Sequence, residues 1–235
     1  MKAVLHKAAS RGHANHGWLD THHTFSFANY YDPARVHFGT LRVLNDDWIA
    51  GGGGFGRHPH DNMEIVTIVL EGELEHKDSM GHTMVIRPDE VQVMSAGTGI
   101  FHSEYNSKPD IPVQLLQIWV FPEKKNIKPR YDQKFFDPAS RANKWQFLVS
   151  PDDQGALRVS QQARFSRITL DESATAAYSL HASDQGAYVF VIDGQVDIEG
   201  YALEKRDGLG LSEVSSFTLK AGKKSEILVI EVPMN

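Results

Sequence analysis

The chain has 235 residues, of which 41% are hydrophobic and 23% are charged, and its formal net charge is -6. This length allows two small domains with cores of their own, and the acidic balance argues against direct binding to nucleic acid. The chain has no cysteine, which excludes disulfides and thiolate-held metal centres, so a metal ion would need nitrogen and oxygen ligands. Its twelve histidines can supply the nitrogen ligands.

The N-terminal segment lacks the features of an export signal. Met1–Val4 is followed at once by His6, Lys7 and Arg11, without the apolar stretch that a signal peptide requires. No apolar run approaches the length of a membrane span. We therefore expect a cytoplasmic protein that does not interact with membranes.

A pair of histidines follows at His13 and His16. The spacing is compatible with a second metal site, but no carboxylate or third histidine follows at a useful spacing. Histidines that are partly buried usually have local hydrogen-bond partners, and we expect this structural role for the pair and for His22 and His23.

Short β-rich runs bounded by Gly, Pro and Asp recur along the rest of the chain, whereas strong helical periodicity is hard to find. Several runs are apolar at successive positions, which indicates strands covered on both faces. The clearest runs are 65–70, 91–94, 113–121, 187–192 and 227–232. The charged stretch 122–144 contains three prolines, and we place the domain boundary within it, between 1–130 and 131–235.

An internal repeat supports this division. Residues 68–75 (IVLEGELE) read like residues 190–197 (FVIDGQVD), with an acid-Gly turn between two strands in each copy. The chain is therefore predicted to be one β-module used twice.

The candidate metal ligands lie in two segments. His58 and His60 follow a glycine-rich run, and alternate residues of a strand face the same side. His102, Glu104 and Asn106 repeat this alternation further along the chain. If the two strands are neighbours, three imidazoles and one carboxylate meet at one point and leave positions open for water or a substrate. The sequence therefore predicts a metal site on His58, His60, His102 and Glu104.

The second copy of the module lacks these histidines. The hairpin match places Leu180 and Ala182 at the positions of the first pair, and Lys220 or Lys224 at the position of the third histidine. Only Glu226 could then stand in for the carboxylate. Because one copy does without the ligands, a shared structural need for them is disfavoured, and the C-terminal module is predicted to lack a metal site.

These segments resemble the two motifs of the cupin superfamily, G-x5-H-x-H-x3,4-E-x6-G and P-x-G-x2-H-x3-N. The first motif is matched, with one extra residue in its last spacer, by Gly52, His58, His60, Glu64 and Gly72. The second is matched, with glycine in place of its proline, by Gly97, Gly99, His102 and Asn106. The resemblance implies an all-β fold of two tandem cupin domains, each a jelly-roll-like β-sandwich or barrel.

A narrower resemblance is to the pirin family, and in particular to its bacterial members. It is carried by residues 11–18 (RGHANHGW), 23–27 (HTFSF), 55–60 (FGRHPH) and 94–99 (MSAGTG). It runs over essentially the whole chain and is strongest up to about residue 122. The resemblance implies that His58, His60, His102 and Glu104 hold the metal, and that Glu64 has a nearby structural role instead.

The same resemblance implies a function. It implies Fe(II) as the metal, although the donor set alone also suits Mn, Co, Ni, Cu or Zn. Bacterial pirins resemble quercetin 2,3-dioxygenases, which implies a flavonol or catechol-like substrate, O2 and an active site in which Glu104 takes the 3-hydroxyl proton. The alternative is a redox-sensing iron protein that binds a transcription factor or a metabolic enzyme. We expect a monomer in either case.

Overall fold

The computed structural model describes residues 1–153 and 155–235, and strands make up most of it. The first ten strands are β1 (Lys2–His6), β2 (Gly12–Asn15), β3 (Leu19–His23), β4 (Leu41–Ile49), β5 (Gly54–His60), β6 (Glu64–Glu71), β7 (Leu74–Asp78), β8 (Thr83–Ile86), β9 (Glu90–Ser95) and β10 (Ile100–Tyr105). They are followed by β11 (Val113–Val120), β12 (Arg130–Phe135), β13 (Gln146–Val149), β14 (Arg164–Leu170), β15 (Thr175–Ser179), β16 (Gln185–Asp193), β17 (Gln195–Ile198), β18 (Tyr201–Glu204), β19 (Gly208–Ser212), β20 (Ser216–Ala221) and β21 (Ser225–Pro233). The two short 3-10 helices in this part of the chain are Ala8–Ser10 and Pro138–Arg141. Over the described ranges, no helix is both long and apolar enough to span a membrane.

The strands form two antiparallel β-sandwiches. In the first, a seven-stranded sheet of order β12-β9-β6-β11-β4-β3-β2 faces a four-stranded sheet of order β5-β10-β7-β8. In the second, a six-stranded sheet of order β1-β19-β16-β21-β14-β13 faces the sheet β15-β20-β17-β18. The prediction of an all-β protein with two tandem cupin domains is confirmed.

The two large sheets pack back to back. One apolar cluster contains Val66 and Ile68 of β6 together with Phe165, Tyr188 and Ile230 of the second sandwich. The residues that alternate with Val66 and Ile68 along β6 face the interior of the first sandwich, so both faces of the strand are buried. This explains why the central strands are apolar at successive positions rather than at every second one.

Two strands qualify the predicted division of the chain at residue 130. The β1 strand pairs with β19 and so joins the six-stranded sheet of the second sandwich. The β12 strand, Arg130–Phe135, pairs with β9 of the first sandwich. The domains 1–130 and 131–235 stay a prediction, and the sheet pairing shows that each sandwich takes one strand from the other side of that boundary.

Strand register aligns the two copies of the module. The hairpin match makes Ile198 the counterpart of His76. His76 pairs with Glu104, and Ile198 pairs with Leu219, so Leu219 occupies the position of Glu104. By the same register, the positions of His58 and His102 correspond to Tyr178 and Phe217, which also face each other across two strands. All three counterparts are buried in the apolar core of the second sandwich.

The predicted counterparts in the second copy are therefore wrong. Lys220 points outward on β20, between the buried Leu219 and Ala221, and Lys224 lies in the exposed turn before β21. Glu226 pairs with Arg141 and Arg167 instead of standing in for a ligand. These counterparts were misassigned because the segment between the acid-Gly hairpin and the ligand strand differs in length between the two copies. A shift of one residue in the alignment moves a side chain to the other face of its strand.

Candidate metal centre

Two adjacent strands of the four-stranded sheet carry the predicted ligands. β5 and β10 are antiparallel neighbours, with His58 directly opposite His102. The register shifts between His102 and Glu104, which marks a bulge beside the site. A Cβ atom at Gly54 would collide with the backbone oxygen of Glu104, so glycine is required where β5 starts beside β10.

Three imidazoles converge as the sequence predicted. His58 Nε2 lies 2.9 Å from His102 Nε2, and the ring of His60 is 4.9 Å from that of His58 and 4.8 Å from that of His102, centre to centre. One nitrogen from each of the three rings lies within 4.8 Å of the others. This arrangement provides several nitrogen donors for one ion.

Glu104 falls in a second, overlapping group. Its carboxylate lies within 4.8 Å of nitrogens of His102 and of His76, a residue that sequence reasoning missed. His76 lies on β7, where it pairs with Glu104. It is separated from other histidines in the sequence, so only the β7–β10 register shows that it lies at the site. The four-residue ligand set stays a prediction, with Glu104 placed next to His102.

Burial keeps the central imidazoles neutral. Burial, together with the neighbouring histidines, lowers the pKa of His102 to about 2, and burial is the main cause that lowers the pKa of His60 to about 4. Burial also raises the pKa of Glu104 to about 7. Neutral imidazole is the form that binds metal ions, and a bound cation favours the ionised carboxylate. The site therefore favours binding of a metal cation over protonation of its imidazoles.

A chain of hydrogen bonds through Thr67 and Gln117 fixes the orientation of Glu104. Gln117 Nε2 lies 3.3 and 3.2 Å from the two carboxylate oxygens and donates to them. Thr67 donates its hydroxyl proton to Gln117 Oε1 at 3.1 Å, which turns the amide nitrogen of Gln117 toward Glu104. The carboxylate is thus held in place from the seven-stranded sheet.

A second chain leads from His102 away from the cluster. His102 Nδ1 is 3.4 Å from His76 Nδ1, and His76 Nε2 is 3.3 Å from Asp78 Oδ2. Asp78 Oδ2 also accepts from His82 Nδ1 at 2.8 Å. Tyr131 stacks on the rings of His76 and His82 at 4.8 and 4.9 Å. If His102 binds a metal through Nε2, its Nδ1–H donates to His76, whose Nε2–H then donates to Asp78.

We expect Asp78→Asn to weaken metal binding by about 10- to 100-fold, the usual effect of losing an outer hydrogen-bond partner of a ligand. Asp78 Oδ1 already accepts the backbone N–H groups of Met80 and His82. If the single amide oxygen of asparagine takes that place, an NH2 group that cannot accept faces the rings of His76 and His82, and the orientation of His102 loses its support. Competition with a chelator measures the affinity. Asp110→Asn, at an exposed position, is the control. Equal affinity in the two variants would show that the hydrogen bonds from His102 through His76 to Asp78 do not orient His102.

The histidine cluster lies at the wall of a cavity of about 680 Å³. Aromatic side chains form much of its lining, namely Trp18, Phe27, Tyr30, Phe55 and Trp119. Its polar side chains near the cluster are His58, His60, Asp47, Glu104 and Gln117. The ring of Trp119 packs edge-on against His60 at 5.0 Å and against Phe27 at 5.3 Å. A cavity of this size and lining suits a flat aromatic molecule beside the metal ligands.

The remaining predicted residues have local partners. Glu64 is buried, and its Oε2 accepts from Ser95 and from the backbone N–H of Ser160 in the second half of the chain. This is the structural role expected for it. His23 lies 2.9 Å from Asn45 Oδ1, also as expected.

His13 has a partner that sequence reasoning missed. The expectation that no carboxylate lies at a useful spacing from it is wrong, because the β2–β3 pairing brings Asp20 to it.

The fold and the cluster together define a two-domain cupin protein with a metal-binding site inside one of its sandwiches. Residues 4–120 match the family model described as Pirin, and residues 147–232 match the model described as Quercetinase C-terminal cupin domain. The chain belongs to the pirin family, which confirms the resemblance found in the sequence.

Relatives of similar length support this assignment. The chain is 45% identical to the quercetin 2,3-dioxygenase of Escherichia coli strain K12, over 97% of this chain and 98% of that protein. It is 39% identical to a pirin-like protein of Caulobacter vibrioides, over 94% and 95% of the two chains. Among solved structures, the nickel(II) complex of the bacterial pirin YhhW from Escherichia coli matches with a TM-score of 0.94 and 44% identity, over 99% of both chains.

Proposed function

We propose that this protein is a metal-dependent dioxygenase that uses O2 to cleave quercetin or a related flavonol. The observation that supports the proposal is the cluster of His58, His60 and His102, with Glu104 next to His102, at the wall of an aromatic cavity of about 680 Å³. The relative from Escherichia coli is named for this activity. The proposal concerns both the reaction and the substrate class.

The residues present fit a single transition-metal ion. In the proposal, His58, His60, His102 and Glu104 hold it, because neutral imidazoles and one carboxylate are ligands that such ions prefer. Fe(II) is the proposed ion, and Mn, Co, Ni, Cu and Zn remain compatible with the donor set. When bound, the ion would supply Lewis-acid and redox chemistry beside open coordination positions.

The aromatic walls would bind the flavonol rings. Trp119 and Phe27 pack together next to His60, and Trp18 packs edge-on against Phe55 at 5.2 Å on the side of His58. A planar ring system inserted between these groups would bury apolar surface and exclude water from the reacting atoms. The hydroxyl-bearing edge of the substrate would then face the ligand cluster.

Glu104 is the proposed general base. Its carboxylate is buried, opens to the cavity and is oriented by Gln117. In the proposed reaction, one of its oxygens accepts the proton of the flavonol 3-hydroxyl, and Gln117 holds the carboxyl group in place while it carries that proton.

The test is oxygen uptake and carbon monoxide release by anaerobically Fe(II)-loaded protein mixed with quercetin. We expect both signals with wild type and neither above background with His102→Ala or Glu104→Gln. The matching flavone without the 3-hydroxyl group is the substrate control and should be inert. Loaded wild-type protein that consumes no more oxygen than His102→Ala would contradict the proposal.

The redox-sensing alternative stays a prediction, as do the monomeric state and the cytoplasmic location. The dioxygenase proposal has the support of the cavity, which offers space for a small aromatic substrate directly at the ligands.

A further inference from the structure

A second group of metal-binding side chains lies on the β2–β3 hairpin. In the hairpin register, His13 is opposite His22 and Asn15 is opposite Asp20. Side chains of directly opposed residues, and of residues two positions along a strand, lie on the same face of the sheet. Two imidazoles, one carboxylate and one amide therefore share one face of the hairpin.

The donor atoms of three of these residues are close enough to share an ion. Asp20 Oδ1 lies 2.9 Å from His13 Nε2 and 3.7 Å from His22 Nδ1. All three atoms lie within 4.8 Å of one another. Two ligand atoms that are each about 2.1 Å from one metal ion lie roughly 3 to 4 Å apart. The two measured separations, 2.9 and 3.7 Å, lie close to that range.

The carboxylate is oriented before any ion binds. Asn15 donates its amide proton to Asp20 Oδ2 at 2.9 Å, which leaves Oδ1 facing the two imidazoles. Asn15 is itself fixed, because its Oδ1 accepts the backbone N–H of Gly17 at 2.8 Å. An outer partner that orients a ligating carboxylate is a regular feature of metal sites.

The surroundings of His22 favour its neutral form. Burial lowers the pKa of His22, and the charges of Arg11 and His13 lower it further. The side chains of His13 and His22 are about half and one third exposed, which leaves room for water on the open side of an ion. None of these residues belongs to the group of His58, and they lie on strands of the other sheet.

We propose that His13, Asp20 and His22 form a second metal site, which takes one divalent ion of the late first-row series such as Zn(II), Ni(II) or Cu(II). Two imidazoles and a carboxylate suit these ions, and water completes the coordination. Asp20 and His22 line a separate surface pocket with Asn15 and Asp46, and of the three ligands His13 alone also lines the main cavity. The proposal does not depend on the dioxygenase activity.

Equilibrium dialysis of the full chain against Zn(II), followed by metal analysis, tests this site. We expect two ions per chain for wild type, and one for His22→Gln and for Asp20→Asn. His102→Ala should also hold one, because it keeps the hairpin site. His37→Gln is the matched control, since His37 is an exposed histidine outside the group, and it should bind two.

The variants separate the two sites. Wild-type protein that binds one ion, lost in His102→Ala and kept in His22→Gln, would overturn the second site. So would two ions in both His22→Gln and Asp20→Asn, because the additional ion would then bind elsewhere. An anomalous map of crystals soaked in Zn(II) should show a peak between His13 and His22.

Discussion

His102→Ala is expected to reduce the metal affinity of the cupin site by more than the roughly 100-fold that loss of an outer partner costs. His102 is the central residue of the cluster: its Nε2 lies beside His58, its Nδ1 lies beside His76, and both groups of donors include it. Its removal takes away the residue that the two groups of donors share. Loading with Fe(II) under anaerobic conditions, followed by chelator competition, measures the affinity.

The substitution should leave the fold intact. Among the residues that the structure describes, none forms a salt bridge with His102, and its strand is held by backbone pairing with β5 and β7. The far-ultraviolet circular dichroism of the variant should match that of wild type, and His37→Ala should bind Fe(II) normally. Wild-type affinity in a folded His102→Ala variant would contradict the proposed ligand set.

Asp47→Asn is expected to stabilise the metal-free protein at alkaline pH. Burial raises the pKa of Asp47 to about 7 from its ordinary value of 3.8, even though Thr21 donates a hydrogen bond to the carboxylate. The folded state therefore favours the protonated carboxyl. Its contribution to stability is complete below the unfolded-state pKa and is lost as the pH rises through the folded-state value. Asparagine cannot ionise, and its side-chain oxygen still accepts from Thr21.

The free energy of unfolding of Asp47→Asn relative to wild type should therefore rise by about 2 to 4 kcal/mol between about pH 4 and pH 8. Urea unfolding in the presence of a chelator measures it at both values. The exposed Asp110→Asn should show no such change. Burial also raises the pKa of Glu104, so the free energy of unfolding of the variant should still depend on pH to some extent. A difference from wild type that is the same at both pH values would show that the pKa of Asp47 is the same in the folded and unfolded states.

The sequence predicted the core of the site because its pattern is local. His58 and His60 alternate on one strand, His102 and Glu104 alternate on another, and strand geometry alone places each pair on one face. His76 and Asp78 could not be found in this way, because they come close to His102 only through the pairing of β7 with β10. Asp20 was missed for the same reason, since its link to His13 depends on the hairpin register.

The alignment of the two module copies also needed the structure. The acid-Gly hairpin marks the repeat correctly, but Phe217 and Leu219, the true counterparts of His102 and Glu104, share no chemistry with them. The swap of β1 into the second sandwich has a similar cause. A short, largely exposed strand is held there by backbone pairing with β19, which no side-chain pattern predicts.

The central claim is that four side chains of two neighbouring strands hold one ion. X-ray absorption at the iron edge, on protein loaded anaerobically with less than one equivalent of Fe(II), tests it most directly. We predict a first shell of three imidazole nitrogens and carboxylate oxygen at about 2.1 Å, with the imidazole signal reduced in His58→Ala. A shell of oxygen atoms alone, or a spectrum that His58→Ala leaves unchanged, would contradict the account.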